Sequence, residues 1–106
     1  MGFFSALFGK TDNCQLTAVI KDDAFLVDVR TPAEFSAGSV KGAVNIPLDK
    51  VPQQLLKFKG KKHIVVFCRS GNRSSQAKSI LEQNGFQHVI NGVTWKNVNQ
   101  AINQQE

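Results

Sequence analysis

Apolar positions along this chain switch repeatedly between helical and strand spacing. Leu16, Val19 and Ile20 recur at helical intervals and predict a short helix over residues 13–23. Phe25-Leu26-Val27-Asp28-Val29 follows as a compact apolar run, the pattern of a buried strand. Thr31, Pro32 and Glu34 supply an N-cap hydroxyl, a proline suited to the first helical position and an acid three residues past the cap. This capping-box start predicts a short helix ending near Gly38. Ala43-Val44-Asn45-Ile46, stopped by Pro47, predicts another strand. Asp49 is then placed to cap a helix running through Leu55, Leu56 and Phe58 to Gly60.

His63-Ile64-Val65-Val66-Phe67 is β-branched and apolar and predicts the best-defined strand. A polar loop over 68–73 follows, then a helix capped by Ser74 or Ser75 with Ala77, Ile80 and Leu81 on its apolar face. Asn84-Gly85 ends that helix, His88-Val89-Ile90 forms a last strand, and residues 95–102 a closing helix. Strands alternating with helices predict an α/β fold with a mostly parallel central sheet and helices on both faces. No repeat or composition break divides the chain. It reads as one domain over 1–106, with a core at about 13–103 and an N-terminal extension over 1–12. Ligands in such sheets bind at the carboxyl ends of strands, which places Asp28-Val29-Arg30 and the 68–73 loop at one edge.

The hydrophobic fraction of 42% is ordinary for a globular domain. The longest apolar run, Ile64-Val65-Val66-Phe67-Cys68, is far short of the roughly 20 residues of a membrane span. The formal charge of +5 invites a nucleic-acid reading, but the only tight basic run is Lys57, Lys59, Lys61 and Lys62, with no interleaved aromatics. The cationic surface fits small anions, and no nucleic-acid partner is expected. Cys14 and Cys68 form no CxxC pair, and neither a disulfide framework nor a metal-binding spacing is present. Phe3, Phe4, Leu7 and Phe8 make the N-terminus apolar, but it lacks the charged region and length of a signal peptide. A cytoplasmic setting is expected, with that segment docking on the core or on a second copy.

Chemistry concentrates in Cys68-Arg69-Ser70-Gly71-Asn72-Arg73-Ser74. A strand delivers the thiol to the sheet edge, and a helix begins within the same short stretch. Small and polar residues between them let backbone N–H groups turn inward as an anion-binding nest. The helix N-terminus and the charges of Arg69 and Arg73 favour thiolate over thiol, so the Cys68 pKa is expected to be lowered without a general base. An inert core cysteine is the bland alternative. It does not account for two arginines, a glycine and a helix start immediately after the thiol.

With these residues in view the chain resembles a single-domain rhodanese, the thiosulfate sulfurtransferase family. Leu26-Val27-Asp28-Val29-Arg30 with Glu34-Phe35, then Gly38 and Gly42-Ala43-Val44-Asn45-Ile46-Pro47, are similar to the family's first signature. Val65-Val66-Phe67-Cys68 through Arg73-Ser74, with Ala77, Leu81 and Gly85-Phe86, resembles its active-site signature. Gly92 and Trp95 match its C-terminal element. The likeness covers about residues 15–100. Ser39 stands where the family usually has His, and Asn91-Gly92 replaces the frequent Gly-Gly.

The resemblance implies a rhodanese-like fold and a ping-pong sulfur transfer with no cofactor and no metal. Cys68 would take the outer sulfur of a small anionic donor such as thiosulfate and pass it as a persulfide to a thiol, a protein acceptor or cyanide. Arg69 would recruit the donor, Arg73 would stiffen the loop and stabilise charge, and Ser70, Gly71, Asn72 and Ser74 would give mainly backbone donors. Gly71 is expected to take a positive φ. Asp28, Arg30 and Glu34 would support the loop: Asp28 by ordering its neighbours, Arg30 by lining the pocket or pairing with Glu34. Trp95 reads as core or lid, and His63 and His88 as structural. Cysteine phosphatases use a loop longer by one residue than the four between Cys68 and Arg73, which disfavours phosphate ester chemistry. A non-catalytic docking module, or a relay handing sulfur to a partner enzyme through the basic face, is the competing reading.

Overall fold

A computed structural model describes residues 15–103. Cys14, Phe3, Phe4, Leu7 and Phe8, and the expectations attached to them, lie outside the described residues. Helix α1 covers residues 15–21, followed by β1 (Phe25–Asp28), α2 (Pro32–Ala37), β2 (Val44–Asn45), β3 (Ile64–Cys68), α3 (Asn72–Gln83), β4 (Val89–Thr94) and α4 (Trp95–Asn103). The strands form one parallel sheet in the order β2-β1-β3-β4. Among the described residues no helix is long and apolar enough to cross a membrane.

Strand β3 shows why the sheet needs cover on both faces. Its five residues are all buried, and successive side chains point to opposite sides. Ile64, Val66 and Cys68 join Val27, Val29, Val51, Phe58, Ala77 and Leu81 in one core layer under α3. Val65 and Phe67 join Leu16, Val19, Val98 and Ala101 in the other, under α1 and α4. Phe58 anchors the first layer edge-to-face with Phe25 and Phe86, at centroid distances of 5.7 and 6.1 Å.

Three local expectations are corrected. The helix expected from Asp49 to Gly60 is two 3₁₀ segments, Leu48–Gln53 and Leu55–Phe58, because Pro52 inside the first cannot donate the backbone bond of a continuous α-helix. Asp49 lies within the first segment, whose N-cap is Pro47. Helix α3 starts at Asn72, with Gly71 rather than a serine at its N-cap. Strand β4 starts after His88, whose φ is +61°, and runs on to Thr94 through a bulge: Val66 pairs with Asn91, but Phe67 pairs with Val93.

Candidate active site

The carboxyl end of β3 places Cys68 beneath the first turn of α3. Gly71 takes a φ of +101°, a left-handed conformation that turns the chain back over the sulfur. Its N–H donates to Cys68 Sγ at 3.0 Å and the Ser74 N–H donates at 3.4 Å. The Ser74 hydroxyl lies 3.5 Å from the same sulfur. Burial pushes the thiol pKa up. The Ser74 hydroxyl and the N–H groups of Ser74, Gly71 and Ser70 together outweigh it and hold the pKa below the usual thiol value.

The Ser74 hydroxyl has other claims on its single proton. Asn91 Oδ1 is 2.7 Å away and the Gly71 carbonyl 3.1 Å. Asn91 Oδ1 also accepts from the Val93 N–H at 2.9 Å. Thiolate formation therefore draws one hydroxyl between Sγ and Asn91. Neither Asn91 nor Val93 stood out in the sequence as a site residue. The Asn-Gly pair interrupting an apolar run was the available sign of a bulge.

The amides of Gly71 and Ser74 turn inward, and the sulfur they meet is walled off from solvent. Cys68 has 0% exposure. Val93, 37% exposed, lies over the loop: its carbonyl is 3.7 Å from Sγ, and its Cγ1 is 3.0 Å from where a Cβ on Gly71 would sit. The β4 bulge sets Val93 beside Phe67 and Thr94 beside Cys68.

The two loop arginines separate. Arg73 donates to both carboxylate oxygens of Glu34, at 2.8 and 3.1 Å, and Glu34 also closes the capping box with Thr31. Arg73 and Thr31 hold the Glu34 carboxyl at about 2. Arg69 is exposed and lines a groove of about 400 Å³ with Arg30, Glu34, Ala37, Thr94, Trp95 and Lys96. Thr94 is the register partner of Cys68, so this cationic groove runs beside the covered thiol. Ser70 and Asn72 are exposed on the loop.

Asp28 and Arg30 form a buried pair behind the loop. Asp28 Oδ1 accepts from the Arg30 N–H at 3.0 Å, and its two oxygens accept from Arg30 Nε at 2.9 and 3.0 Å and from Nη2 at 2.7 Å. Ser39 Oγ adds a bond to Asp28 at 2.6 Å, and Arg30 Nη2 reaches the Gly38 carbonyl at 2.6 Å. Arg30 also sits 5.2 Å over Trp95. Arg30 thus takes Asp28 as its partner and one edge of the groove, while Glu34 goes to Arg73. Among the described residues no group of three or more His, Cys, Asp or Glu side chains converges as a metal site.

A strand-to-helix cysteine loop with inward amides thus stands at the carboxyl edge of a four-stranded parallel sheet. The Rhodanese-like domain family matches residues 13–92, and the chain belongs to that family. A sulfurtransferase of Allochromatium vinosum is 39% identical over 70 residues, 66% of this chain and 65% of that protein. The thiosulfate sulfurtransferase PspE of Escherichia coli is 36% identical over 74 residues, 68% of this chain and 71% of that protein. This chain spans just under two-thirds of the length of the first of these two relatives. A solved structure described as a rhodanese with anions from E. coli superposes with a TM-score of 0.64 at 36% identity, covering 70% of this chain and 89% of that one.

Proposed function

We propose that the protein is a sulfurtransferase that carries sulfane sulfur as a persulfide on Cys68. The observation that supports this most is the convergence of the Gly71 and Ser74 N–H groups on Cys68 Sγ. In the first half-reaction the Cys68 thiolate attacks the outer sulfur of thiosulfate. A new S–S bond forms, the bond to the sulfonate sulfur breaks, and sulfite leaves with its electron pair. In the second, an acceptor thiolate or cyanide attacks the outer sulfur and Cys68 departs as thiolate. Arg69 and its groove gather the anionic donor. The amides of Ser70, Gly71 and Ser74 stabilise the charge on sulfur, with Asn72 opening the helix beside them. Arg73 holds the loop through Glu34, and Asp28 with Arg30 stiffens the floor.

A second reading, a docking module without catalysis, is favoured by the absence of exposed surface on Cys68. Thiosulfate and cyanide turnover to thiocyanate separates the two. Wild type is expected to turn over and Cys68→Ser to be inactive, with no hydrolysis of a generic phosphate ester. Absence of turnover in wild type with any sulfane donor would favour the docking module, and ester hydrolysis would restore the phosphatase reading.

A further inference from the structure

Val93 combines three features that packing alone does not explain. Its φ of +73° puts a β-branched residue in the left-handed region, where such side chains are outliers. The residue is 37% exposed, so no full core burial compensates the strain. The β4 bulge that carries it is pinned by Asn91 Oδ1, which accepts from the Val93 N–H and from Ser74 Oγ. The strained segment is thereby tied to the first turn of α3, directly over the thiol.

Space around the sulfur gives this position a consequence. A persulfide places a second sulfur about 2.05 Å from Sγ. Around Sγ stand the Gly71 N–H at 3.0 Å, the Ser74 N–H at 3.4 Å, Ser74 Oγ at 3.5 Å and the Val93 carbonyl at 3.7 Å. With no exposed surface on Cys68, a donor or acceptor must displace one of these groups to reach the sulfur. The two amides and the hydroxyl belong to the nest, and Ser74 is fully buried. Val93 alone is both half-exposed and held in a conformation it gains by leaving.

We infer that Val93 is the access-limiting residue of the Cys68 site, displaced when a donor or acceptor approaches, and that its bulk sets the size of sulfur compound admitted. The inference rests on the reading of Cys68 as the sulfur-carrying nucleophile, but its test does not require sulfur transfer. In a Cys14→Ser background, the rates of Cys68 modification by methyl methanethiosulfonate and by the bulkier benzyl methanethiosulfonate are compared for wild type, Val93→Ala and Val93→Gly across a pH series. Both reagents leave the same sulfinate, so the ratio of rates reports access and the pH midpoint reports thiolate formation. Removing the branched side chain is expected to accelerate the benzyl reagent by about tenfold or more, the effect of about 1.4 kcal/mol in barrier, and the methyl reagent less, with the midpoint unchanged. Equal rates in wild type and variants, or a gain explained wholly by a shifted midpoint, overturn the inference. Thermal melts identify any misfolded variant, and Val93→Ala, which keeps its Cβ, then decides. Accelerated modification in a protein that never turns over thiosulfate would sustain the gate and sink the proposed function; turnover with rates insensitive to Val93 would do the reverse.

Discussion

Arg73 grips Glu34 with both terminal nitrogens, at 2.8 and 3.1 Å, and so ties the first turn of α3 to the first turn of α2 across the mouth of the site. The two residues are 39 apart in sequence. The contact engages Arg73, and Arg69 is the loop arginine that lines the groove.

The Glu34 contact fixes a pH dependence. Its carboxyl, ordinarily near 4.5, is held at about 2 in the folded chain. A carboxyl depressed in this way contributes stability fully above its unfolded value and loses it as pH falls toward the folded value. The difference in melting temperature between wild type and Glu34→Gln is therefore expected to be constant above about pH 4.5 and to close as pH approaches 2. Both side chains are partly exposed, so the difference is small even at neutral pH. A gap that widened on acidification would contradict the pairing.

Ser74→Ala removes the hydroxyl that faces Cys68 Sγ and Asn91 Oδ1. That hydroxyl is the largest of the contributions holding the thiol pKa down, so its loss moves the pKa up. The midpoint of the pH profile for iodoacetamide alkylation of Cys68 is expected to shift to higher pH. Sulfur loading at neutral pH slows with it. An unchanged midpoint would show that the backbone amides alone set the thiolate.

Asp28→Ala strands the Arg30 guanidinium in a site where it is 5% exposed. Removing one partner of a buried pair costs about 3–5 kcal/mol, and urea denaturation of the variant is expected to show a loss of that order. A loss well under 1 kcal/mol would mean that Arg30 swings out into the groove without penalty.

Gly92→Ala tests the bulge. A Cβ there would meet Val98 Cγ2 at 2.6 Å and Val65 Cγ1 at 3.0 Å. Overpacking of this kind costs about 1–3 kcal/mol, read by the same denaturation experiment. Because Gly92 precedes Val93, the strain also reaches the cover over Cys68, and faster thiol modification is expected alongside the lost stability.

What was readable in advance divides by the distance over which each feature is encoded. The capping box at Thr31, Pro32 and Glu34 is written in adjacent residues, and it forms as the sequence indicates. The apolar runs of β1 and β3 and the helical spacing of Ala77, Ile80 and Leu81 in α3 are equally local, and they point to a parallel sheet with helical cover. The start of α3 was misplaced because hydroxyl caps at Ser74 and Ser75 are the stronger local signal. The loop instead closes through the left-handed Gly71, whose amide is satisfied by sulfur. The Glu34–Arg73 pair and the burial of Cys68 depend on segments meeting only in the folded chain. The strand end at Ile90 was read from hydropathy, which stops there, whereas the Asn91 side chain carries β4 onward by bonding the Val93 amide.

The most direct measurement is the intact mass of the protein after incubation with thiosulfate, taken for wild type, Cys14→Ser and Cys68→Ser. The account predicts a gain of one sulfur atom in the first two, removed by cyanide or a thiol, and no gain in Cys68→Ser. A gain that survives in Cys68→Ser, or a wild type that takes up no sulfur from thiosulfate or any persulfide donor, would contradict it.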